Sequence, residues 1–361
     1  MKYAKYVVSN NLKNPVYLIF YVTDRCNLKC EHCFYSEELN KKNEIPLENI
    51  EKLTKNIKSI FHVVFTGGEP FLRQEIDAII GFFHKNAGMK VASIPTNGSF
   101  TDVVADKVEK ILTDNPELIL NITISIDGTE ELHDKIRAQQ GSYKRAMATL
   151  AKLGEIRKKF DRLNVGVICT LTGTNENEIF AVFDNVHNNY YIDHFQVNFL
   201  RAKPKNVNLA KPAIETYKKI NEYIKKNLYE KSGRYYNIPL GDFYTAINQA
   251  YKDIIIKTVE TGKYVSPCYA ASTNGIIYPN GDVFACEIRS DSKIGNLYDV
   301  DFDLKKLWAS ERAEELRKDI IGNKCFCTFE CQLTSNVVFN AKNLGNAAKH
   351  YAKIKVNRLF D

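Results

Sequence analysis

The 361-residue chain reads as an α/β protein with a differently built C-terminal part. Two observations predict this. Short β-rich runs alternate with helical stretches over the first two hundred residues, and that rhythm breaks near residue 211, beyond which a second group of cysteines appears. The first strand is an apolar run within 16–23. A helix follows over 47–59, then a strand over 62–65, a helix over 74–86 and a strand over 90–94. The series continues as helix 101–112, strand 121–126, helix 142–159, strand 165–171, helix 175–188 and strand 194–200. Strands alternating with helices predict parallel βα units. Six such units are too few for a closed eight-fold barrel. They fit an open doubly wound sheet or a partial barrel, and periodicity does not choose between them. Beyond 211, a helix over 212–231 ends at Ser232-Gly233, and a second runs over 241–261. Asn280-Gly281-Asp282 is a hairpin turn between runs over 275–278 and 283–285. A basic helix over 340–361 closes the chain and packs on the surface.

Hydrophobic residues make up 44% of the chain, enough for a sizeable core, and the formal net charge is +7. That charge is diffuse and gives no clear nucleic-acid signal. No stretch approaches the ~18 apolar residues of a membrane span, and the first fourteen residues do not read as a signal peptide. Nine cysteines without an export signal argue for metal rather than disulfides. Eight of them fall in two groups, and Cys169 stands alone.

The first group is Cys26-Asn27-Leu28-Lys29-Cys30-Glu31-His32-Cys33, directly after the first strand. Three thiolates in C-x3-C-x2-C spacing can hold three corners of a four-iron, four-sulfur cube and leave one iron without a protein ligand. An iron with an open position is a site for chemistry rather than structure, as with catalytic zinc. The bland alternative is a zinc knuckle with His32 as fourth ligand. This motif resembles the radical S-adenosylmethionine (radical SAM) superfamily. The resemblance chooses a partial (β/α)6 TIM-like barrel with a C-terminal α+β auxiliary-cluster domain. It implies a [4Fe-4S] cluster on Cys26, Cys30 and Cys33 that binds S-adenosyl-L-methionine.

The remaining motifs follow in strand order. Thr66-Gly67-Gly68-Glu69-Pro70 ends the second strand; its glycines let backbone approach a ligand, and Glu69 sets a carboxylate beside it. By itself this is an ordinary turn. By resemblance it holds the methionine amino group. Thr96-Asn97-Gly98 ends the third strand; it reads as a capping turn, or, by resemblance, as lining the site through Asn97. Ser125-Ile126-Asp127-Gly128 ends the fourth. Ser125 resembles the family's cofactor-bonding serine, Asp127 accompanies it, and Arg137 resembles an arginine for the methionine carboxylate, which a guanidinium can grip at both oxygens. Taken singly, Asp127 is a turn residue and Arg137 a surface charge. Arg201, after the sixth strand, meets a carboxylate at the mouth or forms an edge salt bridge. Cys169, mid-strand, reads as a small core residue, with hydrogen-atom donation as the functional alternative.

The second group is Cys268, Cys286, Cys325, Cys327 and Cys331. A hairpin brings Cys268 and Cys286 together, and a later loop adds two thiolates to close a four-sulfur site. A four-cysteine zinc site is the alternative. The order of cysteines, with Ile294-Gly295-Asn296-Leu297 and Leu307-Trp308 between them, resembles the SPASM/Twitch extension of radical SAM enzymes. A full extension has more cysteines and two clusters. Five thiols imply one auxiliary [4Fe-4S] cluster on four of the five, with Cys268, Cys286, Cys327 and Cys331 preferred and Cys325 spare.

The divisions expected are an N-terminal extension over 1–14, a radical SAM barrel over 15–210, a helical connection over 211–264, an auxiliary-cluster domain over 265–340 and a C-terminal basic helix over 341–361. The resemblance implies reductive cleavage of S-adenosylmethionine and hydrogen-atom abstraction from a peptide or protein side chain. An electron donor such as flavodoxin or ferredoxin and a cytoplasmic location are expected. Only 25 residues precede Cys26, so a leader-binding domain of the peptide-maturase kind is not expected ahead of it. The rival readings are a dehydrogenase or epimerase acting on a sugar or nucleotide, and a non-catalytic iron–sulfur or zinc protein.

Overall fold

The computed structural model describes residues 15–57, 59–230 and 241–357. The expected extension over 1–14 and the Ser232-Gly233 helix end lie outside the described residues. Six parallel strands form the barrel wall: β1 (Tyr17–Thr23), β2 (His62–Gly67), β3 (Val91–Thr96), β4 (Ile119–Ser125), β5 (Leu163–Leu171) and β6 (His194–Phe199). Between them run α1 (Leu47–Asn56), α2 (Ile76–Ala87), α3 (Thr101–Asp114), α4 (Glu130–Ile136), α5 (Ser142–Lys159) and α6 (Ile179–Asn189). This is the partial barrel that the resemblance chose over an open doubly wound sheet. The short helix α4 has no periodic signature of its own and was not expected.

Strand alternation sorts the residues. On β1, Leu18, Phe20 and Val22 belong to the main apolar core, where Phe20, Phe65 and Phe83 meet with ring centroids 5.5 to 6.4 Å apart. Tyr17, Ile19 and Tyr21 face the other way, into the barrel. Burying each such phenylalanine stabilises the fold by about 1.5–3 kcal/mol.

After β6 come α7 (Ile214–Ile224), continued by a π-helical turn over Lys225–Glu230, and α8 (Gly241–Thr261). Then β7 (Asn274–Ile277), β8 (Asp282–Phe284) and β9 (Lys293–Asn296) extend the same sheet. The strand order is β6-β5-β4-β3-β2-β1-β7-β8-β9. β7 runs parallel to β1, with Tyr17 opposite Asn274, and β8 and β9 are antiparallel. Gly275 is obligatory here, because a Cβ on it would stand 2.6 Å from the Trp308 ring. α9 (Leu304–Trp308), α10 (Glu311–Gly322), α11 (Glu330–Val338) and α12 (Ala341–Asn357) complete the chain. Among the described residues no helix is long and apolar enough to cross a membrane.

Candidate active site

The cysteine loop is fixed by its own polar residues. The Asp24 carboxylate accepts the Lys42 and Asn43 N–H groups at 3.0 and 2.8 Å, and the Cys26 N–H donates to Asn40 Oδ1 at 3.0 Å. The glycine turn packs against the start of this loop. The Gly68 N–H donates to Thr23 O at 3.1 Å and that of Glu69 to Arg25 O at 2.8 Å. A Cβ on Gly67 would lie 2.0 Å from Thr23 O, and one on Gly68 2.1 Å from Arg25 O. Only glycine permits the approach, and Gly67 also has φ of 136°.

Glu69 is 1% exposed. Burial raises its pKa, opposed by hydrogen bonds from Asn97 N–H (2.8 Å), Thr96 Oγ1 (2.7 Å) and Phe71 N–H (3.2 Å). Asn97 also ties the third strand end to the cysteine loop, its Nδ2 donating to Asn27 Oδ1 at 2.9 Å.

Asp127 and Arg137 form a buried pair. Nε of Arg137 is 2.7 Å and Nη2 2.5 Å from Asp127 Oδ2, and the Thr170 N–H donates to Oδ1 at 2.8 Å. Burial opposes the charge on Asp127, but Arg137 and the nearby His32 and His133 overcome it and hold the carboxyl down at about 2. Arg137 Nη1 reaches Cys30 Sγ at 3.7 Å. The turn after Arg137 is held by Asp134, which accepts from Ser142 Oγ and from the N–H groups of Gly141 and Tyr143. Burial pushes the Cys26 thiol up to about 12 and raises Cys30 and Cys33; at Cys30 the guanidinium is the main opposing influence.

These strand ends open on one cavity of about 400 Å³, within the usual size of a small-molecule site. Its wall includes Cys26, Cys30, Cys33, Thr66, Gly67, Gly68, Glu69, Asn97, Ser125, Arg137 and Arg201. Two sequence candidates lie elsewhere. Asp127 is behind the wall with both oxygens engaged, so it orients Arg137. Cys169 is fully buried on the outer side of β5, 3.6 Å from Asn175 Nδ2, while its neighbours Ile168 and Thr170 face inward. A thiol on that side cannot reach a substrate in the barrel, which disfavours the hydrogen-donor alternative. Arg201 pairs with Glu330 and lies 4.2 Å over the Phe329 ring and 5.7 Å from that of Phe34.

Sequence reasoning missed Tyr21, Glu287 and Glu330, all on the cavity wall. Tyr21 Oη donates to Glu287 Oε1 at 2.8 Å. The only signal for Glu287 was its place directly after Cys286.

The second thiol group divides. Cys268 and Cys325 are neighbours, and their mutual influence raises the Cys268 pKa and lowers that of Cys325. Cys327 lies near Cys286 and Cys325. Cys331 instead faces the barrel cavity, beside Tyr17 and Arg201. The geometry thus groups Cys325, rather than Cys331, with Cys268, Cys286 and Cys327.

The residues fit a cluster-bound cofactor. Three thiols share one concavity, glycines open the backbone beside them, and a carboxylate stands ready for an ammonium.

Comparison with known proteins agrees. Residues 20–186 match the family model of the radical SAM superfamily, and residues 268–332 match that of an iron–sulfur cluster-binding domain, SPASM. The Fe-coproporphyrin III synthase of Methanosarcina barkeri is 30% identical over 176 residues, 48% of this chain and 41% of its own length. The antilisterial bacteriocin subtilosin biosynthesis protein AlbA of Bacillus subtilis is 22% identical over 360 residues, 95% of this chain and 73% of its own. SuiB of Streptococcus suis shares the fold. Its structure bound to S-adenosylmethionine aligns with TM-score 0.60 and 19% identity over 87% of this chain and 70% of SuiB. Its structure bound to the precursor peptide SuiA aligns with TM-score 0.58 and 19% identity over 88% and 69%.

Proposed function

Since this chain belongs to the radical SAM superfamily and carries a SPASM iron–sulfur domain, we propose that it oxidises or crosslinks a side chain of a peptide or protein. When bound, the cluster and S-adenosylmethionine supply a one-electron cleavage that yields a 5′-deoxyadenosyl radical able to abstract a hydrogen atom. Cys26, Cys30 and Cys33 would hold the cluster. Glu69 receives the cofactor's ammonium group, with Thr66, Gly67 and Gly68 exposing backbone beside it, and Asn97 and Ser125 bond its polar edges. Arg137 faces the same space, and Asp127 keeps it oriented. Cys268, Cys286, Cys325 and Cys327 would hold an auxiliary cluster, which would supply a site for the second electron or for the substrate. A donor such as flavodoxin or ferredoxin supplies the first.

One observation supports the peptide reading over a nucleotide. Among the described residues lining the cavity, the only cationic side chains are Arg137 and Arg201, and both are paired with carboxylates. Phosphate groups need cations to receive them; an uncharged side chain does not. The likeness to AlbA over 95% of this chain and the fold shared with peptide-bound SuiB lean the same way.

The test uses protein with both clusters reconstituted under nitrogen, dithionite and S-adenosylmethionine. Candidate peptides encoded beside the gene are added. The expected result is 5′-deoxyadenosine formed together with a peptide lighter by two hydrogens. Turnover of sugars or nucleotides with unchanged peptides refutes the peptide assignment.

A further inference from the structure

We propose that the floor of the barrel is a subsite for an uncharged substrate group offering both a hydrogen-bond donor and an acceptor, such as a carboxamide. This rests on the cavity being the substrate site, and it names the class of group that reaches the far end.

The cavity does not stop at the strand ends that carry the thiols. Its wall includes Tyr17, His62, Val91 and His194, the first residues of β1, β2, β3 and β6. Five residue steps along β2 correspond to a depth of about 17 Å. A barrel interior needed only for packing is filled by branched apolar side chains. Here polar side chains form a belt across four adjacent strands. Asn164 Nδ2 donates to Asn121 Oδ1 at 2.8 Å, Asn121 Nδ2 donates to Ser93 Oγ at 3.0 Å, and Ser93 Oγ lies 2.8 Å from His62 Nε2. Sheet register sets the level: Ser93 stands opposite Asn121, and Asn121 opposite Asn164. Two residues along β4 from Asn121, Thr123 Oγ1 is 3.2 Å from Nε2 of His194 on β6. Room for that imidazole is made by Gly166, where a Cβ would fall 2.2 Å from the ring.

The belt is polar without formal charge. It contains no carboxylate, ammonium or guanidinium. Burial lowers both histidines to about 4, so each is a neutral ring with one donor and one acceptor nitrogen near pH 7. A charged ligand group held by the belt would find no counter-charge among the belt's own side chains and would lose its hydration. An amide would meet donors and acceptors on several strands. Asn164, at the belt's end and behind the cavity wall, orients Asn121 through its Nδ2.

The test uses the reconstituted protein with S-adenosylmethionine bound, and acetamide and acetate as probes of equal shape and different charge. Saturation-transfer NMR titration reads their affinities. Acetamide is expected to bind at least tenfold more tightly than acetate, and Asn121→Leu to weaken acetamide at least tenfold. Ser93→Ala removes one hydroxyl and almost no volume; it is expected to weaken acetamide three- to fivefold, and it carries the test if Asn121→Leu does not retain its iron. Equal affinities for the two probes overturn the proposal. So does an acetamide affinity unchanged in folded variants whose melting temperature has dropped, since a belt that only ties strands together would behave that way. Acetamide affinity does not depend on any peptide being turned over, so failure here is separable from failure of the peptide assignment.

Discussion

Arg137 Nη1 lies 3.7 Å from the sulfur of Cys30, while Nε and Nη2 of the same guanidinium grip Asp127. One side chain therefore joins the end of β4 to a thiol of the first group. Removing it in Arg137→Ala leaves a buried carboxylate unpaired, at a cost of about 3–5 kcal/mol, and strips the thiolate of its nearest cation. Iron per chain should fall and the melting temperature drop. Arg137→Lys, with one charge but no fork, should recover part of both.

Glu69 accepts three hydrogen bonds and leaves no place for an amide nitrogen. In Glu69→Gln an N–H2 group faces either the Asn97 N–H or the donors from Thr96 and Phe71. That mismatch costs about 1–3 kcal/mol and removes the charge offered to an ammonium. Equilibrium dialysis should show S-adenosylmethionine affinity at least tenfold weaker, with iron content retained.

Gly68→Ala sets a Cβ 2.1 Å from a backbone carbonyl, which cannot swing aside as a flexible side chain does. Residues 23–26 must shift, and Cys26 with them. 5′-Deoxyadenosine formation should fall at least a hundredfold, read by chromatography after a fixed time.

The belt histidines set an acid limit. Burial holds His62 and His194 at about 4 against the ordinary 6.5, so the unfolded chain takes up protons first as pH falls. Stability is full above pH 6.5 and declines from there to about 4, by up to about 1.4 kcal/mol per pH unit for each ring. Denaturant midpoints should drop between pH 7.5 and 5.5, and less steeply in His62→Gln.

The two uncertain thiols are separable by iron analysis. Cys325→Ala should lose the auxiliary cluster, and Cys331→Ala should keep it, because Cys325 neighbours Cys268 whereas Cys331 faces the barrel cavity. The reverse result would return Cys331 to the ligand set preferred from sequence.

What was legible in the sequence was chemistry fixed by local spacing. Cys26, Cys30 and Cys33, Gly67-Gly68-Glu69 and Ser125 each close or follow a strand, so the alternation of strands and helices placed them at one end of the parallel sheet. The partners of those residues were hidden. Glu330 meets Arg201 across 129 residues. His62, Ser93, Asn121 and Asn164 each sit singly among apolar neighbours, and only strand register lines them up. Asp127 showed its type but not its direction, since a residue just beyond a strand can turn toward the cavity or behind its wall. The SPASM-matching hairpin was foreseen from Asn280-Gly281, but not that its first strand would dock in parallel on β1.

That docking makes one hydrogen-bonded ribbon of the barrel and the hairpin, with Phe20 opposite Ile277. A ribbon has no hinge. The two thiol groups are attached to strands of one hydrogen-bonded sheet, so neither swings against the other without breaking strand pairing. In the proposed reaction, an electron passed between clusters held by those thiols would cross a gap set by the sheet.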